Sequence, residues 1–241
     1  MIFYRIYQFL IMIPIMVVIT VVTSVIVALG SIIFGGKIMG YYPSMFWAKL
    51  MAWLSFVRVT VRGRDNVANG RSYIFVSNHQ GAYDIFAIYG WLGHNFVWMM
   101  KQSLRKIPLV GYACLRAGHI YVNRRSPHAV KQTMETAEKR IREGRSVVVF
   151  PEGTRSKTGH LGAFKRGAYM LAEEFNLPVV PVTIDGAYKV MPPSAKLPRP
   201  GHIILTIYKP IEAPEGQSHD IPAVMSASRD AIASALPPEN K

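Results

Sequence analysis

Residues 72–91 read Ser72-Tyr-Ile-Phe-Val-Ser77, then Asn78-His79-Gln-Gly-Ala-Tyr-Asp84, then Ile85-Phe-Ala-Ile-Tyr-Gly-Trp91. The first six form a short apolar run of strand type, and Asp84 to Trp91 reads as a short helix. The turn between them is polar, contains Gly81, and carries a histidine and an aspartate. Strand, turn and helix in this order is the building unit of an α/β sheet.

The same texture continues downstream. Phe96–Met100, His119–Val122, Ser146–Phe150 and Val179–Ile184 are strand candidates. Ser126 and Pro127 supply an N-cap and a first-turn proline for a helix over 128–143, which Gly144 ends. Lys165–Phe175 and 221–236 read as further helices. Upstream, Phe56–Arg62 alternates, with Val57, Val59 and Val61 on one face. Residues 63–70 are turn-like, and the prolines of 191–200 mark a loop. His202–Tyr208 is expected near a sheet edge, because Pro210 follows closely. The fold class predicted is α/β, with a largely parallel sheet flanked by helices.

Of the 241 residues, 50% are hydrophobic and only 17% charged, against roughly 25% charged in a soluble domain. The apolar excess lies at the N-terminus. No charge occurs between Arg5 and Lys37, a stretch longer than the roughly 20 residues a spanning helix needs and too long for a signal-peptide core. A second apolar block, Ser44–Val57, carries Trp47 and Trp53, suited to a membrane–water boundary. Either the first run spans and the second lies on the surface, or both form a hairpin in one leaflet, broken near Gly35–Gly36 and Gly40. Residues 1–57 are thus read as a two-helix membrane anchor and 58–241 as the α/β domain. Arg5 alone precedes the first run, while Lys37, Lys49, Arg58, Arg62 and Arg64 follow it, so the domain is expected on the cytoplasmic face of the membrane.

The net charge of +14 attracts polyanions, but the basic residues are scattered and no stacking pattern marks a nucleic-acid binder. A single cysteine, Cys114, excludes an internal disulfide framework and a Cys-rich zinc site. It sits in an apolar stretch and reads as a core residue.

In open α/β sheets ligands gather at the carboxyl ends of the strands. There the chain places His79 and Asp84, Lys101, Asn123-Arg124 and Pro151-Glu-Gly-Thr-Arg155. An imidazole can accept a hydroxyl proton while a carboxylate on its other nitrogen holds the tautomer. No G-x-S-x-G accompanies the pair, which leaves the substrate hydroxyl as the nucleophile. One His and one Asp are too few for a metal, and no H-E-x-x-H is present, so no metal is expected. Lys101, Arg124 and Arg155 have the chemistry to clamp a phosphate. Backbone N–H groups of Gly153 and Thr154 are candidates to face an anion or a developing oxyanion. Each basic residue has the alternative reading of a solvated surface charge, and Glu152 that of an ion pair with Arg155.

Asn78-His79-x4-Asp84, the 101–124 segment with Lys101, Pro108, Gly111, Gly118 and Arg124, Phe150-Pro-Glu-Gly-Thr-Arg-Ser156, and Val180-Pro181-Val182 together resemble the glycerophospholipid acyltransferases. Within these, the likeness is to the bacterial 1-acylglycerol-3-phosphate acyltransferases. The resemblance covers roughly residues 72–185. It implies His79 as general base and Asp84 as its orienting partner. It further implies that Lys101, Arg124, Glu152, Gly153, Thr154 and Arg155 hold the phosphate and glycerol of lysophosphatidic acid. No cofactor is implied. Acyl-CoA or acyl–acyl-carrier protein would be the co-substrate, membrane lipids the surroundings, and phosphatidic acid the product. It also favours the hairpin anchor. Ser103 and Asn123 stand where the family often has acidic residues. The alternatives are another lysolipid or glycerol 3-phosphate as acceptor, a hydrolase using water, and a nonenzymatic lipid-binding protein.

Overall fold

The computed structural model describes residues 2–123 and 126–241. Seven strands form one sheet: β1 (Val57–Arg62), β2 (Ile74–Ser77), β3 (Phe96–Lys101), β4 (Ile120–Val122), β5 (Ser146–Val149), β6 (Val179–Asp185) and β7 (Gly201–Ile207), in the order β1-β7-β6-β2-β5-β3-β4. All pairings are parallel except β6 with β7. That exception follows from the connections. Helices Tyr83–Trp91, Val110–Ala117, Pro127–Arg142 and Met170–Glu174 carry the chain back between successive strands β2 to β6, as parallel pairing requires. After β6 only the short turn Ala187–Val190 and the proline-rich loop intervene, so β7 returns antiparallel.

β2 and β5 lie at the centre and are buried along their whole length, as expected of strands covered on both faces. One core layer joins Phe75, Val148 and Val182 to Ala48, Ala52 and Ile88 of the helices above. The other joins Val76, Val147 and Val179 to Ala137, Leu171 and Ile232 below. Burial of each of the larger of these side chains contributes on the order of 1.5–3 kcal/mol, and of each alanine methyl roughly 0.8 kcal/mol. The Asn78 amide links the β2 end to β6, donating to the Ile184 carbonyl and accepting from the Ile184 N–H, both at 2.8 Å.

Three expectations are refined. β7 is one strand in from the edge, because β1 pairs parallel outside it. The expected helix over 165–175 is two shorter pieces, a 3₁₀ turn Arg166–Ala168 and a helix Met170–Glu174. The helix Val110–Ala117 was not anticipated, because Pro108, Gly111 and Gly118 punctuate it. It forms because Ala113 and Ala117 pack on Val27 and Ala28 of the N-terminal helix.

That N-terminal helix runs from Ile2 to Phe34, 33 residues, about 50 Å at the usual rise. A π-turn at Gln8–Met12 precedes Pro14, whose missing N–H and ring would otherwise disrupt the ladder. Gly35, at φ +79°, breaks the helix, and after a short turn the chain enters helix Tyr42–Leu54. The long helix lies along the body over its full length. Tyr7 and Gln8 donate to the Leu54 and Pro198 carbonyls at 2.9 and 2.7 Å, and Trp47 donates to the Thr20 hydroxyl at 3.0 Å. Its other face, including Val17, Val18, Val21, Leu29 and Ile33, is exposed.

His119, just before β4, is buried. Its Nδ1 accepts the Trp98 N–H and its Nε2 meets the Tyr89 hydroxyl at 2.6 Å. Burial, with the Arg145 and Arg140 charges behind it, pushes its pKa from 6.5 down to about 3.

Two predictions follow from this framework. Asn78→Asp keeps the shape but cannot donate to the Ile184 carbonyl, so unfolding in detergent should show a loss of about 1–3 kcal/mol. His119 stays neutral in the folded chain, whereas the unfolded chain takes up a proton as pH falls below about 6.5. Its contribution is therefore lost on acidification, and stability should drop by about 2 kcal/mol between pH 7 and 5. In His119→Gln that part of the pH slope should vanish.

Candidate active site

The carboxyl ends of β2 and β5 are neighbours, so the chain leaving each enters the same space. From β2 emerge Asn78, held to β6, and then His79. The following loop folds around one atom, Asp84 Oδ2. It accepts from His79 Nδ1 at 2.7 Å, from the Gln80 N–H at 2.7 Å and from the Gly81 N–H at 2.9 Å. A five-residue separation on a regular helix would put the two side chains on different faces. The turn at Gly81 is what unites them. Gly81 is also where a Cβ would come 2.7 Å from the Met191 carbonyl oxygen, so no larger residue fits.

Asp84 is fully buried, and the His79 side chain is 16% exposed. With Oδ2 already accepting two backbone N–H groups, the imidazole is the donor at Nδ1, which leaves the Nε2 lone pair free. The ring is also fixed in plane. It stacks on Phe150 with centroids 3.9 Å apart and planes at 7°, and Phe150 stacks in turn on Trp98 at 5.4 Å.

From β5 emerges Glu152, which reaches back under the histidine. Its Oε1 accepts the His79 N–H at 2.7 Å, and its Oε2 accepts the Gly162 N–H at 2.9 Å. Burial raises its pKa, and these two backbone hydrogen bonds oppose the rise. The Ser156 N–H closes the clamp on the His79 carbonyl at 2.7 Å. Glu152 thus holds the histidine's backbone, and the described ion pairs include none between Glu152 and Arg155.

His79 opens into a cavity of about 360 Å³. Its walls are mostly apolar: Val27 of the N-terminal helix, Trp47, Ile85, Trp98 and Met100. Lys101 and Gly153 share the wall with His79. Cys114 also faces this space, and burial pushes its thiol up to about 11, so it is present as the inert thiol.

The sequence-derived candidates divide accordingly. His79, Asp84, Lys101 and Gly153 come together. Glu152 lies behind the histidine. Thr154 and Arg155 are exposed on the loop that follows. Arg124 lies outside the described residues. The Gly153 N–H donates to the Phe150 carbonyl at 3.0 Å and so does not face an anion. Gly153 itself, at φ +76°, needs to be glycine. Sequence reasoning gave no role to Phe150, although an aromatic directly after a central strand was a signal available in the motif. It also missed Lys165, whose ammonium lies 3.0 Å from where a Cβ on Gly153 would sit. Eleven intervening residues hid that proximity.

Known proteins bear on this arrangement. Residues 58–185 match the family described as Acyltransferase. A Chlamydomonas reinhardtii protein named 1-acyl-sn-glycerol-3-phosphate acyltransferase is 29% identical over 97% of this chain and 68% of its own length. A chloroplastic Brassica napus protein of the same name is 34% identical, and one from Borreliella burgdorferi 35%. The chain spans about half the length of these two, 49% and 54%. The crystal structure of PlsC, the LPA acyltransferase of Thermotoga maritima, superposes with a TM-score of 0.71 at 26% identity, covering 90% of this chain and 93% of that one. With more than half of its length matched to the family, and the same fold in a solved relative, the chain belongs to the acyltransferase family.

Proposed function

We propose that this protein transfers a fatty acyl group from an acyl thioester to the sn-2 hydroxyl of 1-acylglycerol 3-phosphate, giving phosphatidic acid. The observation that carries the reading is the His79–Asp84 pair opening directly into an apolar cavity with a lysine on its wall. The names of the relatives support the same acceptor.

In this mechanism the acceptor hydroxyl gives its proton to His79 Nε2, and its oxygen attacks the thioester carbonyl. The buried Asp84 carboxylate stabilises the imidazolium that forms. The tetrahedral intermediate collapses with loss of the thiolate, which takes the proton back from His79. Acyl-CoA or acyl–acyl-carrier protein serves as donor, and the cavity takes an acyl chain. Lys101 meets the acceptor phosphate, and Arg124, Arg155 and the Thr154 N–H are proposed to complete its binding.

The N-terminal helix is long and apolar enough to cross a membrane. Its packing along the whole body favours the other arrangement, in which it lies in one leaflet with its exposed face among the lipids. Spanning would carry the body into the bilayer with it. Residues 1–57 then anchor the chain and 58–241 catalyse, on the cytoplasmic face of the inner membrane.

Purified protein in vesicles, given lysophosphatidic acid and labelled acyl-CoA or acyl–acyl-carrier protein in parallel, should form labelled phosphatidic acid. In His79→Ala the rate should fall at least about 100-fold. Comparable turnover in a well-folded His79→Ala protein would remove the base assignment. Glu152→Gln replaces one acceptor oxygen by an amide that meets a backbone N–H, so it should displace the histidine. We expect kcat lower by about 10–100-fold with the acceptor KM little changed. A rise in KM alone would instead put Glu152 in contact with the acceptor.

A further inference from the structure

The apolar surface does not stop at the N-terminal helices. Between β3 and β4 the chain leaves Leu104, Ile107, Leu109, Tyr112 and Leu115 each 37–51% exposed. Single exposed apolar side chains are ordinary, but five within twelve residues mark an interaction surface. The turn that presents them is strained. Leu109 sits at φ +61°, ψ −54°, a region a leucine rarely adopts, and the Val110 N–H reaches back to the Pro108 carbonyl at 2.6 Å.

This surface lies next to the long helix. Ala113 and Ala117 pack on Val27 and Ala28, which sets the segment directly beside the long helix, whose Val25 and Leu29 are exposed. Charge distinguishes what covers it. The first 134 residues carry 14 Lys and Arg against two acids, Asp65 and Asp84, and none of residues 85–134 is acidic. Within the segment Arg105 and Lys106 are exposed between Leu104 and Ile107. Apolar side chains interleaved with uncompensated basic ones suit an anionic leaflet, which takes the first among its acyl chains and the second at its headgroups.

We propose that residues 104–115 are a second membrane-contacting element, inserted beside the N-terminal helix into an anionic lipid leaflet. Leu104 and Val110 line the cavity that holds His79. The element therefore sets the cavity mouth within the leaflet, so that a lipid chain enters sideways without crossing water. The inference rests on the membrane-anchoring reading of the long helix and is independent of the reaction.

The test uses the full chain in phosphatidylglycerol–phosphatidylcholine vesicles whose acyl chains are brominated. In a Cys114→Ser background, Leu29→Cys, Ile107→Cys, Leu109→Cys and Glu215→Cys each carry an environment-sensitive fluorophore. Positions 107 and 109 should be quenched severalfold more than 215, as 29 should. Quenching at 29 alone leaves the helix as anchor and overturns the second element. Quenching at none of the four overturns both. A blue-shifted but unquenched label at 107 and 109 means a protein partner or a second copy covers the segment, and the lipid assignment falls.

Discussion

One buried carboxylate oxygen organises the centre of this molecule. Asp84 Oδ2 collects the His79 side chain and two consecutive backbone N–H groups. A carboxylate taken out of water is costly unless its hydrogen bonds are made. The loop after β2 wraps this oxygen and offsets part of that cost. Helix Tyr83–Trp91 starts where the wrap ends, and the histidine is presented at the carboxyl end of the central strand as a consequence. Asn78 on one side and Glu152 on the other tie the same loop to β6 and to the loop after β5. The geometry of the His79–Asp84 pair and the junction of β2 with β6 are thus held by one set of contacts.

The anchor and the body are likewise joined. The long helix supplies a wall of the cavity, and Val27 contributes both to that wall and to the seam with Ala113 and Ala117. The long helix and the cavity at His79 therefore share side chains. An acceptor that lives in a bilayer has its reacting hydroxyl near the headgroups and its chain in the hydrocarbon, and a site with a basic wall opening into an apolar cavity matches that polarity.

Much of this was legible in the chain itself, because the signals were local. The apolar runs 72–77 and 146–150, bounded by turns, could be satisfied only as buried strands. Ser126 caps the helix Pro127–Arg142 and accepts the Ala129 N–H, as a serine before a proline predicts. The absence of charge between Arg5 and Lys37 announced a lipid-facing helix, and Gly35 marked its end. His79 and Asp84 were visible as a pair because they lie in one turn.

What stayed hidden depends on contacts between distant residues. The helix Val110–Ala117 exists through the face it shares with the N-terminal helix, so its small residues looked like loop. Glu152 reads in sequence as a substrate ligand next to an arginine, yet β5 lies beside β2 and turns it toward the His79 backbone. Gly153 keeps its N–H for Phe150. The composition and spacing of the chain pointed to an α/β domain behind a long apolar helix, with a histidine–aspartate pair at a strand end, because periodicity and motif are properties of neighbours along the chain. Only the tertiary structure decided which carboxylate holds and which orients, and that the anchor helix lines the cavity, because these follow from strand order and from surfaces that meet only on folding.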